Sequence, residues 1–449
     1  MYLGEIDFVY MPVINFAMQQ NHVPVIKKFS AKNISDKDLD NVTISIKSDP
    51  DFALVYEHKI DVIRKDEVVE LTSINFKLSA KYLAELTERV SGNITLTIST
   101  DNQQIFNENY TIDLLAYDQW NGITMLPELL CTFVTPNHPK LPKLILRASE
   151  ILGNWTGNPS FDAYQSRNPD RVKKQMAAIY EAIAEMKIVY CTVPASFEET
   201  GQRIRMCDTI FSTHMGNCLD LSLLYAACLE AVGLHPLIII IKGHAFAGGW
   251  LVEESFADAM NDDASLITKR TAQGINDILL IEATCMNAGN NNQFDDSVSS
   301  ANFKMINEEE FLLFIDVKRS RFSGIRPLPL RLKTEDGWQI VEEKFNARNN
   351  GLPEEIIPGV KLINVEKTDV SKQTVWERKL LDLTLRNSLL NLRITKITIQ
   401  FIGLNLSKFE DALAKGEELQ ILSRPTDWDN PLRSAGVYQS INQSDPVLD

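Results

Sequence analysis

The sequence has no long apolar run. Its longest aliphatic stretch is LIIII at 237–241, far short of the roughly 20 residues that cross a bilayer as a helix. The opening, MYLGEIDFVYMPVINF, lacks a basic region and places Glu5 and Asp7 among its apolar residues, which argues against a secretory signal. Cysteine is sparse, with six residues at 131, 191, 207, 218, 228 and 285 and no C-x-x-C pair. That spacing argues against a zinc ribbon and predicts free thiols in a reducing cytoplasm. There is no G-x-x-x-x-G-K-[ST] stretch, so no ATPase activity is assigned to the chain. Positive charge is in deficit, with 45 Lys and Arg against 60 Asp and Glu for a net charge of −15. A general nucleic-acid coat needs clustered cations and is disfavoured. Internal repeats and low-complexity tracts are absent as well.

What remains is ordinary globular composition, 44% hydrophobic and 23% charged over 449 residues. A chain of that length holds roughly two to four domains. Residues 1–117 read as a β-sandwich. Short alternating runs (VPVIKKFSAKN, NVTISIKSD, EVVELTSINFKLS, NITLTIST, NYTIDLLAY) are separated by Asn, Asp and Gly, as strands and turns require. One helical insert is expected at 80–90, where Leu83, Leu86 and Val90 share a face.

Residues 118–343 read as a central α+β domain. Helical patterns cover 121–190, including Val172, Met176, Ile179, Tyr180 and Ile183 at helical spacing. The expected order then is a helix at 218–232, strands at 236–242 and from His244 to Val252, a polar insert at 253–276 and a strand at 277–284. Residues 344–370 read as a linker, and 371–449 as a small C-terminal α/β segment. That segment opens with the amphipathic helix TVWERKLLDLTLRNSLLNL, followed by the strand-like ITIQFIGLNL. The expected class is therefore multidomain α+β.

The chemistry concentrates in GNCLDLSLLYAACLEAVGLHPLIIIIKGHAFAGGWLVEE. Cys218 opens a helix, where unpaired N–H groups favour negative charge and, with a histidinium nearby, favour a thiolate. Gly216 and Asn217 precede it and are expected to support the loop and the oxyanion, with Gly216 permitting close approach of a carbonyl. Asp220 sits in the first turn and reads as a structural hydrogen-bonder. His244 is the expected general base, flanked by Gly243 and Ala245 and followed by Gly248, Gly249 and Trp250, a context that keeps its ring uncrowded. Gly243 and Trp250 are expected to shape the site. Glu282, at the end of a buried strand, is the expected acid that holds the imidazole.

Each residue also has a plain structural reading. Cys228 reads as core, Cys131, Cys191 and Cys207 carry no signal, Cys285 has no base nearby in sequence, His235 reads as a group that caps carbonyls, and His214 as a loop residue. The polar insert reads as a solvated loop that can close over the cleft. Its Asp258, Asp262 and Asp263 lack the glycine and terminal Glu of a calcium loop. No metal or cofactor is expected.

The run GQRIRMCDTIFSTHMGNCLDLSLLYAACLEAVGLHPLIIIIKGHAFAGGWL resembles the transglutaminase-like cysteine protease domain of large bacterial superfamily 1 helicase-related proteins. NHVPVIKKFSAKNISDKDLDNVTISIKSDPDF and SGIRPLPL are similar to other parts of that family, and VWERKLLDLTLRNSLLNLR resembles the start of the uncharacterised region that precedes the helicase. The resemblance implies an Ig-like N-terminal sandwich and a papain/transglutaminase-like central domain. It further implies Cys218 as nucleophile and His244 as base. The superfamily's acid is commonly Asp, and here Glu282 stands at the matching position. Lacking a P-loop, the chain is expected to be a truncated or stand-alone piece of such a protein.

The expected function is a thiol peptidase or amidase acting on a protein or peptide, with a role in anti-phage defence implied by the family. The alternatives are acyl transfer to an amine and a non-catalytic accessory region for a helicase motor or partner protein. Direct nucleic-acid binding and membrane contact are not expected.

Overall fold

The structure, a computed structural model, describes residues 2–72, 74–101, 103–192, 201–334, 337–340, 401–402 and 447–448. The chain divides into two compact units, Met1–Asn346 and Ala347–Asp449. It is a mixed α+β protein with several sheets. In the second unit, Phe401–Ile402 pairs antiparallel with Val447–Leu448. The expected linker at 344–370 and the amphipathic helix at 374–392 lie outside the described residues.

The first unit begins with two sheets. One joins Leu3–Tyr10, Ile26–Asn33 and Val68–Leu71. The other joins, in order, Val13–Ile14, Gln104–Leu114, Val90–Ser99, Leu39–Asp49 and Tyr56–Ile63. Period-two burial explains both, since alternate side chains of a strand point to one face. Val42, Ile44 and Ile46 are buried beside Ile94, Leu96 and Ile98. The strands Leu3–Tyr10 and Tyr56–Ile63 were not anticipated. Tyr56–Ile63 (YEHKIDVI) is largely exposed at a sheet edge, and its charged residues dilute the apolar alternation. The helical insert is shorter than expected: it spans Ala80–Glu85, capped by Ser79, and Val90 begins a strand.

The rest of the unit is built around an antiparallel sheet. Its order is Met260–Asn261, Phe311–Asp316, Pro236–Ile241, His244–Trp250 and Ile278–Ile281. PLIIII forms the central strand because each of its six residues is buried, the pattern of a strand covered on both faces. Lys242 and Gly243 turn the chain into the next strand, pairing Ile241 with His244. Gly243 has φ +69°, a left-handed conformation that glycine adopts without strain.

The helix Cys218–Ala231 packs on this sheet and is apolar on all sides, with Cys218 to Leu229 buried throughout. The helix Pro169–Ala184 packs against it in turn, and the Tyr225 hydroxyl donates to the Met176 carbonyl at 2.9 Å. These helices explain the small residues of HAFAGGW. A Cβ at Gly249 would stand 2.8 Å from Met176 Cε and 3.4 Å from Leu229 Cδ1. The glycine thus serves close helix packing, not an uncrowded histidine ring. Among the described residues, no helix is long and apolar enough to cross a membrane.

Candidate active site

The strand register brings the site together. Ala247 pairs with Ile281 and Trp250 with Ile278, so the start of the His244 strand lies beside the end of the Ile278–Ile281 strand. Glu282 follows that end directly, next to the His244–Phe246 stretch. The His244 Nε2–H donates to Glu282 Oε2 at 2.8 Å. The Cys218 side chain is the ring's other ionisable neighbour. With Nε2 committed to the carboxylate, Nδ1 is the ring nitrogen left for the sulfur.

Electrostatics follows from these contacts. Burial by itself lowers the His244 imidazole, but hydrogen bonds with Cys218 and Glu282 outweigh it and raise the group to about 9. Burial pushes the Glu282 carboxyl up. Hydrogen bonds from His244 and from Thr284 more than reverse this and hold it below the ordinary carboxylate value. The Thr284 hydroxyl donates to Glu282 Oε1 at 2.7 Å and the Thr284 N–H at 3.1 Å. Lys304 Nζ lies 3.6 Å from Glu282 Oε2. The result is a buried carboxylate held against the His244 ring, with Cys218 as the ring's other neighbour.

The Cys218 helix is held at its first turn by a reciprocal cap. Asn217 Oδ1 accepts the Asp220 N–H at 2.9 Å, and Asp220 Oδ2 accepts the Asn217 N–H at 3.0 Å. Asp220 is fully buried, and it also accepts the Arg205 N–H at 2.8 Å and Arg205 Nη1 at 2.9 Å. It aims at Arg205 and the cap. Asn217 supports the loop, with its N–H and carboxamide oxygen both used in capping. A Cβ at Gly216 would meet Leu221, Asp220 and Ile188 at 3.5–3.6 Å. That is ordinary contact, so local packing does not itself demand glycine there.

Two expectations need correction. Trp250 lies at the opposite end of the His244 strand, six residues or about 20 Å away. There its indole N–H donates to Asp316 and its ring packs on Phe256. The polar insert joins Trp250 to Ile278. It therefore sits at that far end and is no lid for Cys218. Asp263 in it caps the helix Ala264–Thr271 through the Ser265 N–H.

The structure also adds a residue. Val189–Tyr190 pairs in parallel with Met215–Gly216, which sets the Tyr190 side chain beside Cys218. Tyr190 is 41% exposed. Its sequence setting, KIVYCTV, reads as an ordinary strand and gave no hint of a role.

Other histidines and thiols near the site have plain structural settings. His214 caps the helix Cys207–Thr213 in a left-handed conformation, its Nδ1 2.9 Å from the Met186 carbonyl. His235 Nδ1 lies 2.7 Å from the Glu254 carbonyl. Burial pushes the Cys131 thiol up to about 12 and Cys207 up to about 11. Cys228 and Cys285 are raised by burial too. Among the described residues, no group of three or more His, Cys, Asp or Glu is placed to hold a metal ion.

Two large clefts among the described residues lie elsewhere. One of about 660 Å³ is lined by Tyr117, His138, Arg331 and Trp338, and another of about 770 Å³ by residues of the first two sheets, including Ile26 and Phe76. Neither contains a nucleophile paired with a base, so chemistry and not cavity size singles out Cys218.

Comparison with known proteins adds little to this geometry. Residues 379–446 match a family model described as "Protein of unknown function (DUF4011)". No curated protein matches the chain. Among solved structures, it is similar to a family 76 glycoside hydrolase from a bovine Bacteroides thetaiotaomicron strain, at 8% identity and a TM-score of 0.14. That similarity covers 51% of this chain and 50% of the other, so the chain spans about half the length of that structure. A likeness so distant carries no argument about fold or activity.

Proposed function

We propose that this chain is a transglutaminase-like thiol hydrolase, a peptidase or amidase, with Cys218 as nucleophile, His244 as base and Glu282 as the acid that orients the base. One observation carries the reading: the His244 ring is hydrogen-bonded to Glu282 Oε2 at 2.8 Å and has the Cys218 side chain as its other neighbour. The nucleophile opens a helix, the base opens a strand, and the acid ends the neighbouring strand. That arrangement supports a papain/transglutaminase-like central domain, behind an N-terminal Ig-like sandwich.

The chemistry proceeds in two halves. His244 takes the Cys218 proton, and the thiolate attacks an acyl carbon. The C–S bond forms as the carbonyl π pair moves to oxygen. Collapse restores the carbonyl and breaks the C–N bond, and the departing amine takes its proton from His244. Water, deprotonated by His244, then cleaves the thioester and releases the acid and the thiol. Glu282 keeps the ring oriented and stabilises its charged form. A cytoplasmic setting, and service beside a helicase motor in anti-phage defence, follow from the family resemblance.

Limiting iodoacetamide at neutral pH, with peptide mapping, tests the reading. Cys218 should be alkylated ahead of the other five thiols, and His244→Ala should remove that preference. Equal labelling of all six thiols sinks the reading. With a protein substrate and a labelled primary amine, new N-termini mark hydrolysis, while covalent incorporation of the amine marks transfer.

A further inference from the structure

Attack by Cys218 places a negative charge on the acyl oxygen, and a site that accelerates this step aims hydrogen-bond donors at that oxygen. Helix geometry supplies one. The N–H of Cys218 is in the first turn, where no intrahelical acceptor exists. Asn217, the expected second contributor, has its N–H and carboxamide oxygen committed to Asp220. A different donor is also a neighbour of Cys218.

We propose that Tyr190 is a catalytic residue whose hydroxyl, with the Cys218 backbone N–H, holds the oxyanion of the tetrahedral intermediate. The inference rests on the hydrolase reading above. Tyr190 lies level with Gly216, on the strand that leads into Cys218. Its segment is fixed on two sides. The Val189 N–H donates to the His214 carbonyl at 2.8 Å and the Cys191 N–H to the Gly216 carbonyl at 3.0 Å. From the other side, the Ala288 N–H donates to the Ile188 carbonyl at 2.7 Å. That pairing leaves the Tyr190 side chain a neighbour of Cys218, and the residue stays partly open to solvent, where substrate arrives.

The phenol is suited to donate. Burial, and then the charge of the neighbouring Cys218 sulfur, raise it above its ordinary value, so it keeps its proton while the thiolate forms. When the C–S bond forms and the carbonyl pair moves to oxygen, the hydroxyl shifts from the sulfur to the geminal oxygen. As the intermediate collapses, the carbonyl re-forms, the leaving group departs and the hydroxyl returns. The phenol gives up no proton at any step.

The test compares two reactions of Cys218 in the full chain. Acylation by 4-nitrophenyl acetate passes through an oxyanion, whereas alkylation by iodoacetamide displaces iodide at a saturated carbon and forms none. Tyr190→Phe removes one oxygen from a partly exposed ring and should slow the nitrophenolate burst on the order of 10²-fold, the usual cost of losing one oxyanion donor. Alkylation of Cys218 should stay close to the wild-type rate, which also shows that the site remains folded. An unchanged burst overturns the proposal, and so does a parallel fall in both rates, which would place Tyr190 in activation of the sulfur alone. A wild type with no burst that Cys218→Ala abolishes defeats the hydrolase reading itself. A burst present in the wild type and indifferent to Tyr190→Phe defeats only the role of Tyr190.

Discussion

The two ends of the central sheet each bury a carboxylate, and they treat it in opposite ways. At one end Asp316 is fully buried and receives only neutral donors. They include the Trp250 indole N–H at 3.2 Å, the Phe256 N–H at 2.8 Å and the Arg319 N–H at 2.9 Å. Burial wins there, and the Asp316 carboxyl is raised above its ordinary value. At the other end Glu282 is just as hidden, at 2% exposure, yet faces an ionisable imidazole and lies near Lys304. Its carboxyl is lowered. Burial alone therefore does not decide the charge of a carboxylate. A partner that can exchange a proton does, because it stabilises charge on both members and leaves one of them a proton to move.

The sharpest way to probe this contrast is to remove a charge partner at one end and a neutral donor at the other. Arg205→Ala leaves Asp220 buried without its cation and should cost about 3–5 kcal/mol of stability. Trp250→Phe removes a single neutral donor from Asp316 and should cost about 1 kcal/mol beyond packing. Urea denaturation reads both, and equal losses would dissolve the distinction between charged and neutral satisfaction.

A paired substitution of the two carboxylates comes next. Glu282→Gln should lower Cys218-dependent acylation by about 10²-fold or more while changing the fold little, because the imidazolium loses its counter-charge. Asp316→Asn should leave acylation unchanged and cost about 1–3 kcal/mol, since its amide N–H groups oppose N–H donors already aimed at that position. Burst kinetics and thermal melts on the same samples separate the outcomes. A loss of acylation in Asp316→Asn would show that the two ends are coupled.

The smallest effect is on pH dependence. His244 is raised from 6.5 to about 9, so its contribution is complete below its ordinary value and fades as pH climbs through 9. Its ceiling is on the order of 3 kcal/mol. Glu282, lowered from 4.5, contributes above its ordinary value and loses that contribution as pH falls through its lower folded value. Asp316 has the opposite sign for a carboxyl. Being raised, it favours the fold at low pH and loses that contribution as pH rises. Urea titrations should show the wild type weakening between about pH 6.5 and about pH 9, and His244→Ala should flatten that limb. A limb that survives His244→Ala would assign it to another group.

Much of the site was legible because its residues sit where local chemistry shows in the sequence. Cys218 follows a capping residue, and His244 follows a glycine turn. Glu282 closes the apolar run ILLI. The misreadings came from geometry that spacing does not carry. Trp250 and the polar insert are close to His244 in number, but a strand of seven residues carries them to the other end of the sheet. The Gly248–Gly249 pair looked like room for a histidine ring, and it is room for Met176.

The sequence by itself determined the local pieces: an apolar helix opened by a cysteine, a fully apolar strand, a glycine turn before a histidine, and alternation in the first hundred residues. These follow from periodicity and capping, which act over a few positions. Only the tertiary structure decided which pieces meet. The antiparallel register sets Glu282 against His244, and a parallel pairing of two residues sets Tyr190 over Cys218. Register and packing are settled by contacts between residues far apart in the chain, and a tyrosine in a short strand carries no local mark of the sulfur it will face.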